Sequence, residues 1–455
     1  MVTGRRSRPA AGPPKFVTGS VLRHIIEMTA AGALGLMAIF FGDLANIYFL
    51  SVASDETVVA AIGYASSILF FSTSIGIGLS IAASSVVSPA VGANVRSKAR
   101  RLSTHTHVLA FGVSAVISVV MWFFIPWLLE LLGAKDRAHA LASIYLEILI
   151  PTMPLIALGI TSSAVLRSVG DAKRAMFVTL TGAVVNMILD AILILKLGWG
   201  VEGAAISSVL ARFAIFAVGI YGVVGVHRLW GAIKPDVLWE DARLFFRIGV
   251  PAMLTNIATP VGNAYVTMAV AAFGNDAVSG WAVIGRIIPV AFGAVYALSG
   301  AVGPIVGQNL GARKPERMRA ILTQSLLVMA AFTLAAWIIL SILAEPMAAS
   351  FKASGEAREL IIFFCRALSP MFVFLGAIFI ANATFNVLGK PHLSTVLNWA
   401  RATLGTVPFV ALGAHFDGAR GALTGQMLGG VIFGFLAVAL SYRLVARITL
   451  SMKQP

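Results

Sequence analysis

Long apolar stretches, each followed by a short charged or Gly/Pro-rich break, recur along this chain from Val21 to Val445. About 20 apolar residues are enough for a helix to cross the hydrocarbon core of a bilayer. The pattern therefore predicts an all-α membrane protein with twelve transmembrane helices. Their expected ranges are 21–51, 57–88, 104–131, 138–166, 174–197, 201–226, 243–272, 276–308, 318–344, 357–388, 393–414 and 420–447.

The two halves of the chain repeat each other. Ser88–Asn94 after helix 2 resembles Gly303–Asn309 after helix 8, and Leu166–Gly170 after helix 4 resembles Phe385–Gly389 after helix 10. Six helices separate the copies, so both copies begin from the same side of the membrane. The repeat predicts two six-helix lobes related by a pseudo-two-fold axis along the membrane normal, which is typical of carriers that work by alternating access.

These boundaries divide the chain into five parts. We expect a basic cytoplasmic tail at 1–20, an N-terminal lobe at 21–226, a cytoplasmic linker at 227–242, a C-terminal lobe at 243–447 and a second cytoplasmic tail at 448–455. The first tail has no apolar core that could be cleaved as a signal peptide.

Composition and charge fit the same picture. Hydrophobic residues make up 58% of the chain and charged residues 12%, which is too few polar side chains to cover a surface in water. The net charge of +15 arises mostly from one side, where about 24 Lys and Arg fall in the tails and even-numbered connections against about 6 in the odd ones. This distribution places both termini in the cytoplasm and indicates a lipid bilayer, not a nucleic acid, as the partner.

Two carboxylates lie deep within predicted helices. Asp43 and Asp190 are each roughly 24–30 Å from the cytoplasmic end of helices 1 and 5, which run in the same direction. Asn46 and Asn186 are three and four residues away on the same helix faces, and Ser207 or Ser208 in helix 6 could join them. Buried carboxylates that take up and release protons could couple transport to an ion gradient, although a purely structural polar pair between the helices is the alternative.

Several motifs taken together resemble those of multidrug and toxic compound extrusion (MATE) transporters over essentially the whole length of the chain. They are Gly42-Asp43, Leu166–Lys173, Asn186–Asp190 and Gly307–Ala312. The resemblance is strongest to the DNA-damage-inducible, or DinF-like, branch, in which the matching positions Asp43, Asn186 and Asp190 would carry ion coupling. Another branch uses acids in helices 7 and 10. This chain has Thr255 and Asn256, then Asn382 and Asn386, at those positions.

The resemblance implies a secondary antiporter of the cytoplasmic (inner) membrane that exports amphipathic, cationic drug-like compounds in exchange for protons, with sodium ions as the alternative. We expect a monomer without a cofactor or metal. Asp43, Asn46, Asn186, Asp190 and Ser208 are the expected coupling residues.

Met37, Tyr48 and Met153 could line an adaptable apolar pocket for the substrate. Arg401 is expected to be a buried partner or a snorkelling residue. A flippase for lipid-linked precursors is one alternative function. A membrane enzyme is the other, although the chain has neither His-Glu-x-x-His nor Gly-x-Ser-x-Gly.

Overall fold

The computed structural model describes residues 14–53 and 55–453, and all regular elements in this part of the chain are helical. The α-helices are α1 (Val21–Ala53), α2 (Glu56–Gly92), α3 (Arg96–Phe123), α4 (Ile125–Leu131), α5 (Asp136–Leu149), α6 (Met153–Ser168), α7 (Ala172–Asp190), α8 (Gly200–Ile220), α9 (Pro235–Ala271), α10 (Asn275–Ala291), α11 (Gly293–Gly311), α12 (Pro315–Ser350), α13 (Gly355–Phe363), α14 (Phe372–Val387), α15 (Pro391–Ala402) and α16 (Val407–Lys453).

Ten helical ranges in the described chain are long and apolar enough to cross a membrane, and the pair α10–α11, bent by 49°, raises this number to eleven. The prediction of an all-α membrane protein is confirmed. One of the ten ranges, Pro391–Met452, reverses direction at Asp417 and Gly418, whose backbone angles are not helical. The backbones of Gly413 and Gly421 meet across this reversal, so the range consists of two antiparallel arms.

The antiparallel arms touch where neither residue has a side chain. A Cβ atom added at Gly429 would overlap the carbonyl oxygen of Gly405, whereas one added at the adjacent Gly430 would meet nothing within 4 Å. We expect Gly429→Ala to cost about 1–3 kcal/mol of stability and Gly430→Ala to be neutral or slightly stabilising. Thermal unfolding of the two purified variants in detergent checks this, and equal melting temperatures would contradict the close approach of the arms.

Two of the differences between the predicted ranges and the structure have local reasons. The predicted third helix, 104–131, is interrupted at Phe124 because Pro126 lacks the N–H that would continue the helix, and a new helix begins there. The predicted linker 227–242 is irregular only up to Lys234, since α9 starts at Pro235, a residue suited to the first position of a helix. Residues 235–242 are thus the first turns of α9.

The repeated motifs of the two halves lie against each other. The ends of α2 and α11 approach so closely that a Cβ atom at Gly92 would overlap the carbonyl oxygen of Gln308, and one at Gly311 would overlap that of Pro89. Small residues permit this kind of backbone contact between membrane helices. The contact lies at the basic face of the molecule, the end that bears the Arg- and Lys-rich loops, and it closes the two halves together there.

The residues just before α1 bridge the two halves at the same face. We call residues 14–19 the latch segment. The backbone N–H of Phe16 donates to Gln308 Oε1 at 2.9 Å, Asn309 Nδ2 donates to the carbonyl of Phe16 at 3.1 Å, and Lys15 Nζ donates to the carbonyl of Gly170 at 3.2 Å. The predicted tail 1–20 is therefore partly bound to the protein. Its residues 1–13 lie outside the described residues.

Candidate functional site

Asp190 is the centre of a buried polar cluster in the N-terminal half. The residue has no solvent-exposed surface and ends α7. Its Oδ2 accepts hydrogen bonds from Asn46 Nδ2 of α1 at 2.7 Å and from Asn186 Nδ2 of α7 at 3.1 Å. Its Oδ1 accepts from the Ser207 hydroxyl of α8. One carboxylate thus holds three helices together.

Local sequence explains why α1 lies close enough to reach this carboxylate. A side chain at Gly35 would overlap the Thr179 hydroxyl of α7, and a Cβ atom at Gly42 would lie 3.8 Å from Ala183 of the same helix. The two glycines are two turns apart on one face of α1, and Asn46 follows one turn later. The glycines of α1 therefore serve as a packing surface that brings Asn46 to Asp190.

Asp43 lies beside this cluster but is bonded differently. Its side chain is exposed, and it makes no hydrogen bond or ion pair with any residue that the structure describes. The charges of Asp43 and Asp190 both act on the buried Tyr145 of α5, which also lies within hydrogen-bonding reach of Ser208. The two acids therefore belong to one region of the N-terminal half. Asp190 has three hydrogen-bond donors, and Asp43 has none among the described residues.

The predicted coupling residues are only partly brought together. Asn186 and Asn46 both bond to Asp190, although the spacing suggested that Asn46 would pair with Asp43. Ser208 is directed to Tyr145, and its neighbour Ser207 bonds to Asp190 instead. Consecutive residues of a helix point about 100° apart, so only one of the two serines can face α7.

The predicted substrate residues lie in three different surroundings. Met37 faces α11, with its sulfur 3.3 Å from the position of a Cβ atom at Gly293. Tyr48 is 63% exposed, with its ring 6.0 Å from that of Phe49. Met153 is buried, and its sulfur accepts a hydrogen bond from the Ser72 hydroxyl at 2.6 Å.

Arg212 was missed by the sequence analysis. It lines a small cavity of about 50 Å³ together with Met153, and its Nη1 donates to the carbonyl of Leu149 at 2.6 Å and to Thr152 Oγ1 at 2.8 Å. The signal was present in the sequence, because Arg212 is the one basic residue in the apolar stretch between Glu202 and His227. A charge in the middle of such a stretch indicates function or a buried partner.

The motif after α6 ties two loops together outside the membrane. Asp171 caps α7 by accepting from the backbone N–H of Arg174, and its Oδ2 accepts from Arg174 Nη1 at 2.6 Å and from His227 Nε2 at 2.7 Å. Partial burial alone would raise the pKa of the Asp171 carboxyl, but these bonds outweigh it and hold that pKa well below its usual range. The stabilisation is present above the unfolded pKa of about 3.9 and is lost as pH falls through the folded pKa.

In the C-terminal half, a group of polar side chains without an acid lies between α9, α14 and α15. Asn398 Nδ2 donates to Asn382 Oδ1 at 3.0 Å, and the Ser394 hydroxyl donates to Asn386 Oδ1 at 3.3 Å. Arg401 is buried at 7% exposure, and its Nη2 donates to Thr259 Oγ1 at 2.9 Å. Its partner is thus a hydroxyl. No group of three or more His, Cys, Asp or Glu side chains suited to a metal occurs among the described residues.

Comparison with known proteins gives one consistent family. The MatE family profile matches residues 33–192 and 251–412. Over 435 residues the chain is 27% identical to the FAD transporter of Shewanella oneidensis. The alignment covers 94% of this chain and 96% of that protein. It is 21% identical over 446 residues to the multidrug export protein MepA of Staphylococcus aureus, covering 96% and 97% of the two chains.

Solved structures agree. A mutant of the Vibrio cholerae MATE transporter VcmN superposes with a TM-score of 0.89 at 25% identity, covering 94% of this chain and 97% of that one. An outward-facing multidrug resistance MATE transporter of the MOP superfamily superposes with a TM-score of 0.91 at 21% identity, covering 97% and 100%, which shows a shared fold. The chain belongs to the MatE family and is a multi-pass membrane transporter, not an enzyme.

Proposed function

We propose that this chain is a secondary antiporter that exports amphipathic organic compounds, organic cations among them, in exchange for protons. The observation that carries the proposal is the pair of carboxylates in the N-terminal half. Asp190 is held by donors from three helices, and Asp43 makes no hydrogen bond with a described residue. Ionisable residues inside a membrane protein are costly, and they often mark proton pathways in pumps and transporters.

Protonation of Asp190 would change the packing of helices around it. An ionised carboxylate only accepts hydrogen bonds, whereas a protonated one also donates. A proton on Oδ1 would make Asp190 a donor to the Ser207 oxygen, whose own proton can go to the carbonyl of Ala204, and a proton on Oδ2 would compete with the amides of Asn46 and Asn186. Either change alters the bonds that join α1, α7 and α8. This gives a physical route from a proton to a movement of helices.

Protons suit this site better than sodium ions. The amide groups of Asn46 and Asn186 present N–H donors to Asp190, whereas sodium would require oxygen ligands. The hydrogen bond between Asn186 and Asp190 also supports the assignment to the DinF-like branch. The match to the MatE family favours export over the flippase alternative.

The proposed architecture has twelve crossings in two six-helix lobes, 21–226 and 243–447, related by a pseudo-two-fold axis. Counting the two arms of Pro391–Met452 separately supports the number twelve. The basic face, with both termini, is proposed to be cytoplasmic, and the protein is proposed to be a monomer in the inner membrane of a prokaryote. Closure of the lobes at that face supports an outward-open arrangement.

The proposed substrates are aromatic amphiphiles. Similar proteins are described as transporters of FAD and as multidrug exporters. The exposed Asp43 offers a counter-charge for cations. Purified protein in proteoliposomes should export ethidium when a pH gradient is imposed and should not respond to a sodium gradient alone. Efflux driven by sodium alone would show that the coupling ion is wrong, and no gradient-driven efflux would refute the antiporter.

A further inference from the structure

The charge of Arg401 lacks a compensating acid inside the C-terminal half. A guanidinium has five N–H donors, but the bond to Thr259 is the one hydrogen bond that this group makes among the described residues. Its Nε is buried without a partner, and no described carboxylate lies within 4.0 Å. Arg401 is ten residues, or about 15 Å, beyond the start of α15 at Pro391, so it cannot reach the polar surface of the membrane.

Two other arginines, Arg212 and Arg420, are better satisfied. Arg212 has two oxygen acceptors, and it acts on Tyr145 together with the acids Asp43 and Asp190. Arg420, near the surface of the C-terminal half, pairs with Glu359 at 2.8 Å. The C-terminal dipole of α15 favours a cation in its last turn, but it supplies no acceptor for Nε. Among the described residues Arg401 shares this state with Arg167 of the N-terminal half, whose Nε is likewise buried without a partner and whose Nη1 donates to Ser163 Oγ at 2.8 Å.

The helix is interrupted beside Arg401, about 15 Å from its start at Pro391. α15 ends at Ala402 and α16 starts at Val407, and the Thr406 hydroxyl donates to the carbonyl of Arg401 at 2.9 Å. Non-helical backbone within a membrane span is tolerated where it is buried in protein or lines a cavity, and transporters often place binding sites at such breaks.

Two aromatic side chains lie in the same part of the C-terminal half as this charge. Tyr296 of α11 is close enough to Arg401 for electrostatic interaction. Its ring lies 5.2 Å from that of Phe379, at an angle of 35°, and both rings are only half-buried. We call Tyr296 and Phe379 the aromatic ledge. A flat aromatic compound could stack on such a ledge while its acidic group reaches the guanidinium.

We propose that Arg401, Thr259 and the aromatic ledge form a binding subsite for aromatic compounds that carry a phosphate or carboxylate group. The proposal rests on the proposed export function and extends its substrates from cations to organic anions. The subsite lies in the C-terminal half, separate from the acids of the N-terminal half. One lobe would thus bind the coupling proton and the other the acidic group of the substrate.

A matched ligand pair tests the subsite without any ion gradient. Riboflavin 5′-phosphate and riboflavin share one ring system and differ in the phosphate group. Equilibrium binding to the purified protein in nanodiscs of phosphatidylcholine should favour the phosphate by at least about tenfold, the size of a charge-assisted hydrogen bond. Arg401→Gln should remove this preference and leave riboflavin binding unchanged, Arg401→Lys should retain part of it, and Arg420→Gln should retain all of it.

Several results would overturn the subsite. They are no phosphate preference in the wild type, an unchanged preference in Arg401→Gln, or equal loss of both ligands in a folded Arg401→Gln protein. If that variant does not fold, Thr259→Val and Tyr296→Phe test the subsite instead, since each should reduce the preference for riboflavin 5′-phosphate over riboflavin. Repeating the assay with phosphatidylglycerol identifies the source of the anion, and loss of the wild-type preference there would assign the site to a lipid headgroup. Failure of the export proposal would appear separately, as absence of ethidium efflux.

Discussion

Replacing Asp190 with Asn is expected to reduce pH-gradient-driven ethidium efflux at least about tenfold, to the level of passive leak, because the side chain keeps its size but cannot carry a proton. Asp43→Asn is expected to do the same, since the proposed proton path uses both acids. The measurement is efflux from proteoliposomes at equal protein content, with equilibrium ethidium binding measured in parallel. A variant that still binds ethidium but does not export it has lost ion coupling, whereas a variant that no longer binds ethidium has lost the substrate site.

Asp55→Asn is the matched control for these variants. Asp55 is an exposed acid at the start of α2 that pairs with Arg137 at 2.6 Å, outside the membrane-spanning ranges. Transport by this variant should equal that of the wild type. If Asp43→Asn and Asp190→Asn both transport normally, the polar cluster is only a structural joint between α1, α7 and α8.

A side chain at Gly311 is expected to reduce transport by a different route. Valine there would collide with the backbone of Pro89, which cannot move without displacing α2. A steric cost of about 1–3 kcal/mol falls only on the state in which the basic face is closed. That cost shifts the equilibrium between open and closed forms by roughly 5- to 150-fold.

The shift can be read from accessibility at the basic face. Ser84 of α2 is buried beside Ser168 of α6. A cysteine introduced at Ser84 should react slowly with an impermeant thiol reagent in the otherwise wild-type protein, and faster in the protein that also carries Gly311→Val. The native Cys365 is buried, which keeps the background low. Gly76→Val is the control, because a Cβ atom at that position of α2 meets nothing within 4 Å. Equal labelling of both variants would show that closure does not depend on this contact.

Much of the fold could be predicted from hydrophobic periodicity and the internal repeat, because lipid imposes a length and a composition on every span. The helix break at Phe124 and the helix start at Pro235 were harder to predict, since each depends on a single proline within an otherwise continuous pattern. The reversal at Gly418 fell between two predicted helices and was anticipated as a loop.

The candidate site was predicted less completely because spacing along one helix reports only neighbours on that helix. The i, i+4 relation of Asn186 and Asp190 could be read directly from the sequence. The bond from Asn46 crosses to another helix, and it depends on how α1 packs against α7 through Gly35. Arg401 was visible as a charge, but only the structure shows that its partner is Thr259 and not an acid.

The latch segment also has a consequence for biogenesis. Phe16 and its acceptor Gln308 are 292 residues apart, although Phe16 is among the first residues of the described chain to be synthesised. At roughly 5–20 residues per second, translation needs about 15–60 s to produce the partner residues. During this interval α1 enters the bilayer with its preceding segment unseated. Chain synthesis therefore orders assembly, because the N-terminal half must wait for α11 before its first helix is tied in place.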